Sequence, residues 1–216
     1  MKKLLLLLLL SLGFTGSANA DNFLSDCYVP FVSQDYKAAL KVCKPLAENG
    51  DSSAQTVLAE MYYKGQGVLQ NYKESMKWAK KAAEQGDALA QYQAGLLYED
   101  GKGVLTNYKE AMKWYRKSAA QGNIIAQNAI GIMYEFGQGV LTNYSTSASW
   151  YRRAAEGGLA QAQMSLGIYY CEGLGVPKDL SQSKYWLNKA YESGKLSAGA
   201  QEWVEMIWER CELAKY

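Results

Sequence analysis

The stretch AQYQAGLLYEDGKGVLTNYKEAMKWYRKSAAQG, residues 90–122, decides the fold, because the chain carries its pattern four times. Ala54-Gln55, Ala90-Gln91, Ala126-Gln127 and Ala162-Gln163 lie 36 residues apart. Trp78, Trp114, Trp150 and Trp186 keep that step, as do Tyr62, Tyr98, Tyr134 and Tyr170. So do the glycine pairs 65/67, 101/103, 137/139 and 173/175, and then Gly86, Gly122, Gly158 and Gly194. A fixed period of this length is the mark of a repeat architecture, in which each copy is one supersecondary unit.

Each copy reads as two helices. From Ala90 to about Asp100, the residues Ala90, Ala94, Leu97 and Tyr98 share one helical face. This helix A should stop at the Gly-x-Gly-Val loop, where glycine adopts the left-handed backbone that closes a helix. Helix B should then begin at Asn71, Asn107, Asn143 or Asp179, all good N-caps. Glu74, Glu110 and Gln182 follow three residues later and predict a capping box in three copies. Pro45, inside an earlier half copy, should kink or shorten its helix. Stacking buries the tyrosine and tryptophan of one copy against the small residues of its neighbours. Seventeen tyrosines would suit a sugar-binding platform, but most recur at fixed phase, which marks core packing.

The pattern A-Q-x-x-x-G-x-x-Y-x-x-G-x-G-V, then N-Y-x-x-A-x-x-W-Y-x-x-A-A-x-x-G, resembles the Sel1-like repeat, a relative of the tetratricopeptide repeat. The resemblance implies an all-α, right-handed α-α superhelix of about four full repeats with terminal capping helices. Repeats are expected over residues 54–89, 90–125, 126–161 and 162–197. An N-terminal cap and half repeat covers 21–53, and a capping helix lies within 198–216, roughly Ala198 to Ala214. The copies depart from one another at Ala59, where later ones have glycine, and at Leu180, where earlier ones have tyrosine. Such changes are expected at solenoid ends, where a surface meets water instead of another repeat.

The first twenty residues read as a secretory leader: basic Lys2 and Lys3, apolar Leu4 to Phe14, and an Ala18-Asn19-Ala20 cleavage site. Cleavage is expected before Asp21, with a periplasmic or secreted product of bacterial type and no membrane insertion thereafter. Position 21 is not cysteine, so a lipid anchor is not expected. Without the two leader lysines, 21 basic residues face 21 acidic ones. Nucleic-acid binders are basic, so that class is set aside. Four cysteines in an exported chain argue for disulfides, with three possible pairings. Cys27–Cys43 with Cys171–Cys211 is favoured, because each bridge would staple one end of the molecule.

The chain has no histidine. Histidine-based triads, histidine general bases and most zinc-protease patterns are therefore missing, and the cysteines lack C-x-x-C spacing. No cofactor motif is present, and an enzyme is not expected. Ser181-Gln182-Ser183-Lys184 matches the S-x-x-K of penicillin-binding enzymes, and cysteine-rich members of the family are linked with β-lactam binding. Its companion strings are absent, so it reads as a solvated helix face. Asn143-Tyr144-Ser145 fits a glycosylation sequon, but its asparagine is a helix cap. Asp100, Glu135 and Glu172 could approach one another, yet an acid–base pair needs a pocket that separates its two pKa values.

Related helical-pair repeats hold partners on the concave face, lined by A helices. Carried onto this chain, the resemblance implies Thr56, Glu60, Tyr63 and Lys64 in the first copy. Tyr92, Leu96, Glu99 and Asp100 follow in the second, and Asn128, Ile132, Glu135 and Phe136 in the third. Met164, Ile168, Cys171 and Glu172 complete the set. Five acids and one lysine stand among apolar groups there, whereas helix B is rich in lysine and arginine. The expected partner is a protein with basic and apolar side chains. Exported members of the family include regulators of envelope sensor kinases and immunity proteins against phospholipase toxins. A scaffold or inhibitor is therefore expected, with toxin immunity or host-directed binding as alternatives.

Overall fold

The structure, a computed structural model, describes residues 27–211. The expected leader and its cleavage site, and residues 212–216, lie outside the described residues. Eleven α-helices and no strand occur among those described. A short α1 (Tyr28–Val32) precedes α2 (Tyr36–Glu48), α3 (Ser52–Lys64), α4 (Tyr72–Glu84), α5 (Ala88–Asp100) and α6 (Tyr108–Ala120). These make one compact unit, which ends at Asn123. The second unit holds α7 (Ile124–Phe136), α8 (Tyr144–Glu156), α9 (Ala160–Glu172), α10 (Leu180–Glu192) and α11 (Ala198–Arg210). Helices α3, α5, α7 and α9 are the A helices; α4, α6, α8 and α10 are the B helices.

Every helix after α1 has 13 residues, and local chemistry sets that length. The A helices α3 and α5 start two residues before the repeated alanine. Asp51 and Asp87 cap them by accepting from the backbone N–H of Ala54 and Ala90, each at 2.7 Å. At the other end Gly65, Gly101 and Gly173 sit in the left-handed region as C-caps. The second glycine of the loop is needed twice over. Gly67 has φ +70°, and a Cβ there would lie 2.8 Å from the carbonyl oxygen of Tyr36. Gly103 meets Tyr72, and Gly175 meets Tyr144, in the same way. The loop of one copy thus seats on the first turn of the preceding B helix.

The B helices depart from the expected capping box. Asn71, Asn107, Asn143 and Asp179 each cap through the side chain, as expected. Their own backbone N–H groups, however, donate to the carbonyls of Tyr62, Tyr98, Tyr134 and Tyr170 at 2.8–2.9 Å. That donor is already used, so Glu74 is free to pair with Lys77 at 3.2 Å instead of reaching back. The shortening expected at Pro45 does not occur, since α2 runs through it at the full 13 residues. Pro45 is exposed in the last turn, where the carbonyl it leaves without a donor can be hydrated.

In the first unit the core runs from Cys27 and Ala39 through Leu58, Met61, Trp78 and Ala82 to Leu97 and Trp114. In the second unit, Ala148, Tyr151, Leu166, Tyr169 and Trp186 form one cluster. Cys171, Leu187, Ala190, Val204 and Ile207 form another. Trp78, Trp114 and Trp186 are buried and Trp150 half-buried. Each indole carries a cation three residues on: Lys81, Lys117, Arg153 and Lys189 stand 4.4–5.2 Å from the ring centroids. Part of the basic bias of helix B therefore serves to roof the tryptophans. Disulfides join Cys27 to Cys43 and Cys171 to Cys211, with Cα atoms 4.7 and 6.0 Å apart.

Candidate functional site

The A helices carry the face on which partner-binding residues are expected, and the two units present separate parts of it. In the first unit α3 and α5 lie side by side. Glu60 pairs with Lys64 at 2.6 Å and accepts from Gln93 at 3.2 Å. Tyr63 donates its hydroxyl to Asp100 at 3.3 Å and accepts from Lys102 at 2.9 Å, while Lys102 pairs with Asp100 at 2.8 Å. Thr56 is buried and bonded to the carbonyl of Ser52, so it faces inward. Tyr92 stacks on the buried Tyr115 with centroids 5.7 Å apart, and desolvation lifts its phenol to about 12. Leu96 stays half-exposed.

Glu99 differs from the other acids of this unit. Its carboxylate accepts a short hydrogen bond from the Tyr115 hydroxyl and has no ion pair among the described residues. Burial holds its pKa above the usual carboxylate range; the Tyr115 bond opposes that shift and the nearby Asp100 charge adds to it.

The second unit repeats the device once. Glu135 on α7 accepts a short hydrogen bond from Tyr151 of α8 and likewise has no ion pair among the described residues. Phe136 beside it is 67% exposed, and Asn128 and Ile132 are half-buried. On α9 the picture changes. Met164 and Ile168 pack into the cluster that contains Val204 and Ile207, and Cys171 is buried in its disulfide. Glu172 pairs with Arg210 at 2.6 Å. In this quarter of the expected lining Cys171 and Glu172 are tied to the end of α11, while Met164 and Ile168 stay half-buried.

Of the five acids on the expected face, three carry an ion pair and two lean on a buried tyrosine hydroxyl. Sequence spacing did not reveal this, because Tyr115 and Tyr151 lie on the other helix of their copies. A signal was present: the copies with tyrosine at that B position have glutamate on helix A, and those with Ala79 or Leu187 have Tyr63 or Cys171. Among the described residues no group of histidine, cysteine and carboxylate side chains could hold a metal ion. In the S-x-x-K string Ser181 is exposed and Ser183 fully buried without a partner, so the two hydroxyls do not share a site.

Helix pairs of constant length, closed by left-handed glycines and stacked through small residues, define a tandem helix-hairpin repeat protein of the solenoid class. The Sel1 repeat model matches residues 52–87, 88–123, 124–159 and 160–195, and the chain belongs to the Sel1 repeat family. A protective antigen of uropathogenic Escherichia coli strains, with an SLR fold, is 39% identical at a TM-score of 0.71. The alignment covers 74% of this chain but only 34% of that one, so the chain spans about a third of the antigen's length. A Sel1 repeat protein from Oxalobacter formigenes is 37% identical, with a TM-score of 0.73 and 82% and 70% of the two chains covered. A Klebsiella pneumoniae Sel1 repeat protein shares the fold at 17% identity and a TM-score of 0.57, over 90% of this chain and 97% of its own. No curated protein matches this chain. Sel1 repeats are in general scaffolds for protein–protein interaction.

Proposed function

We propose that this protein is an exported scaffold or inhibitor that holds a partner protein on the helix-A faces of its two units. The observation that carries the reading is the pair Glu99 and Glu135. Each is a carboxylate without an ion pair among the described residues, propped by a buried tyrosine. Each has an apolar group three residues before it on the same helix, Leu96 for Glu99 and Ile132 for Glu135, and the exposed Phe136 follows Glu135 in sequence. A lysine or arginine of a partner would gain a charge-assisted hydrogen bond there, and its neighbours would bury leucine and phenylalanine. Two disulfides favour an oxidising compartment, periplasmic or outside the cell. No described helix is long and apolar enough to cross a membrane.

Photocrosslinking tests this reading. A photoreactive amino acid at Leu96 or Phe136 should give a discrete adduct with a partner protein in the native setting. The same group at Lys80 or Lys109, exposed on helix B, should not. Adducts from the helix-B positions alone would contradict the assignment.

A further inference from the structure

Leu69, Leu105 and Leu141 stand in the first three Gly-x-Gly-Val loops, 91%, 90% and 90% exposed. Packing does not account for them, and their surroundings differ from copy to copy. From the loop to the middle of helix B, residues 65–79 carry Lys73, Glu74 and Lys77. Residues 101–115 carry Lys102, Lys109, Glu110 and Lys113. Residues 173–187 carry Lys178, Asp179 and Lys184, with Pro177 at the leucine place. Residues 137–151 carry no charged side chain. Where helix B of the first two copies has lysine, glutamate and lysine, α8 has Ser145, Thr146 and Ser149.

The third copy therefore shows an uncharged, partly apolar surface at this end. Tyr144, the first residue of α8, is 44% exposed, whereas its counterparts Tyr72 and Tyr108 are half-buried. It packs edge-on against Tyr169, with centroids 6.2 Å apart. Ser145 and Ser149 follow on one side of the helix, and the Ser149 hydroxyl donates to the Ser145 carbonyl at 3.0 Å. A hydroxyl already bonded to its own backbone costs little to bury. The nearest charges in the chain stand at the rim and are engaged. Glu135 accepts from Tyr151, Arg152 donates to the Tyr170 hydroxyl, and Arg153 covers Trp150 at 4.8 Å. Lys178 and Asp179, of opposite sign, end the loop whose Gly175 meets the first turn of α8. Phe136 belongs to the helix-A face and is not needed here.

Charge decides the occupant. Identical molecules bring identical charges, so a surface meets its own copy across a two-fold axis only where like charges do not face each other. In the first two copies Lys73 and Lys77, or Lys109 and Lys113, would oppose such a meeting. Around Leu141 nothing opposes it, and a charged partner has nothing there to read. The two-fold axis also presents each apolar group twice, so Leu141 of one molecule can rest on Tyr144 of the other. Two large side chains per molecule fall well short of the roughly 20–30 residues a side of a standard interface, so the pair is reversible. We infer that the loop before α8 and the first two turns of that helix are a self-docking surface, through which two copies of this chain pair. Leu141 and Tyr144 form its centre. This inference does not rest on the helix-A reading.

Sedimentation equilibrium of the disulfide-bonded chain, from about 10 to about 500 µM, tests the pairing. The average mass should rise with concentration from one chain towards two and stop there, because a two-fold contact closes. Ser145→Lys/Thr146→Glu/Ser149→Lys copies Lys109, Glu110 and Lys113 of the second repeat and should weaken pairing at least about tenfold. Leu141→Gln should do the same, and Leu105→Gln should not. The second copy folds with the grafted residues at the same places, and Leu141 faces solvent, so melting curves should be unaltered. Added salt should not weaken the pair, since no ion pair holds it. The inference fails if the chain stays monomeric at the highest concentration, or if either variant pairs as tightly as the parent. Growth beyond two chains, dissociation by salt, or loss of pairing in Leu105→Gln would each overturn it. So would a monomer that binds neutral phosphatidylcholine vesicles through Leu141, or one that crosslinks to another protein from that position.

Discussion

The ring of Tyr115 occupies the space that a side chain at Gly95 would need: a Cβ there would lie 2.5 Å from the ring. Gly131 and Tyr151 repeat the relationship at 2.7 Å, and Gly167 with Leu187 at 2.6 Å. The first copy has Ala59 at the glycine position and Ala79 at the tyrosine position, and both are fully buried. Ala59 is thus no accommodation to water at a solenoid end; it fills the room its small partner leaves. Size is matched across each helix pair, and the same tyrosines go on to hold Glu99 and Glu135.

This matching predicts non-additivity. Gly95→Ala should cost about 1–3 kcal/mol by overpacking, and Tyr115→Ala about 3–5 kcal/mol by losing a buried ring. The double substitution recreates the Ala59–Ala79 pair, so its cost should fall short of the sum by at least about 1 kcal/mol. A double-mutant cycle in urea measures this, and additive costs would contradict the pairing.

Glu99 predicts a pH dependence. Its pKa is raised in the fold, chiefly by burial, so the folded protein keeps a proton that the unfolded chain has released. Stability from this group therefore falls as pH rises above the ordinary glutamate range near ~4.3. Glu99→Gln keeps an acceptor for Tyr115 and removes the charge. The variant should gain stability over the parent as pH rises towards 7, and the gap should close in acid. Denaturant midpoints across that range check it; a constant gap would count against a perturbed carboxylate.

The buried glutamines predict a stabilising change. Gln85 and Gln121 donate to the side-chain oxygens of Gln55 and Gln91 at 2.8 and 2.9 Å. The corresponding places in the later copies hold Gly157 and Ser193, and the side-chain oxygens of Gln127 and Gln163 are buried without partners. Ser193→Gln should supply the missing donor to Gln163 and raise stability by roughly 0.5–1.5 kcal/mol. In a Gln163→Ala background the gain should vanish, which thermal melts can decide.

The Cys171–Cys211 bridge predicts a local effect. It closes a 40-residue separation, and the chain-entropy model gives such a bridge about 4 kcal/mol. Cys171→Ser/Cys211→Ser should lower global stability towards that extent. Hydrogen exchange should show the loss of protection concentrated in α11. Equal loss in α3 and α5 would contradict the view that this bridge chiefly holds α11.

Much of the fold was legible because its determinants are local and repeated. The glycine loops, the asparagine caps and the 36-residue step are all visible in a single strand of text. What escaped depends on contacts between helices. The capping box failed because the N–H it needs goes to a tyrosine carbonyl of the preceding helix. The A helices start earlier than the alanine period suggested, because Asp51 and Asp87 cap them from outside it. Among the expected lining residues, Cys171 is taken up by its bridge to Cys211 and Glu172 by Arg210, partners that lie two helices further along the chain. The tyrosines behind Glu99 and Glu135 could be found only by comparing copies with one another.

The most direct test of the functional account is the affinity of the crosslinked partner for the parent chain and for Glu99→Gln/Glu135→Gln. The substitution keeps the shape and the tyrosine hydrogen bonds and removes only the two charges. The account predicts at least about a tenfold loss of affinity, steeper at low salt, with folding intact. Unchanged affinity at every ionic strength would contradict it.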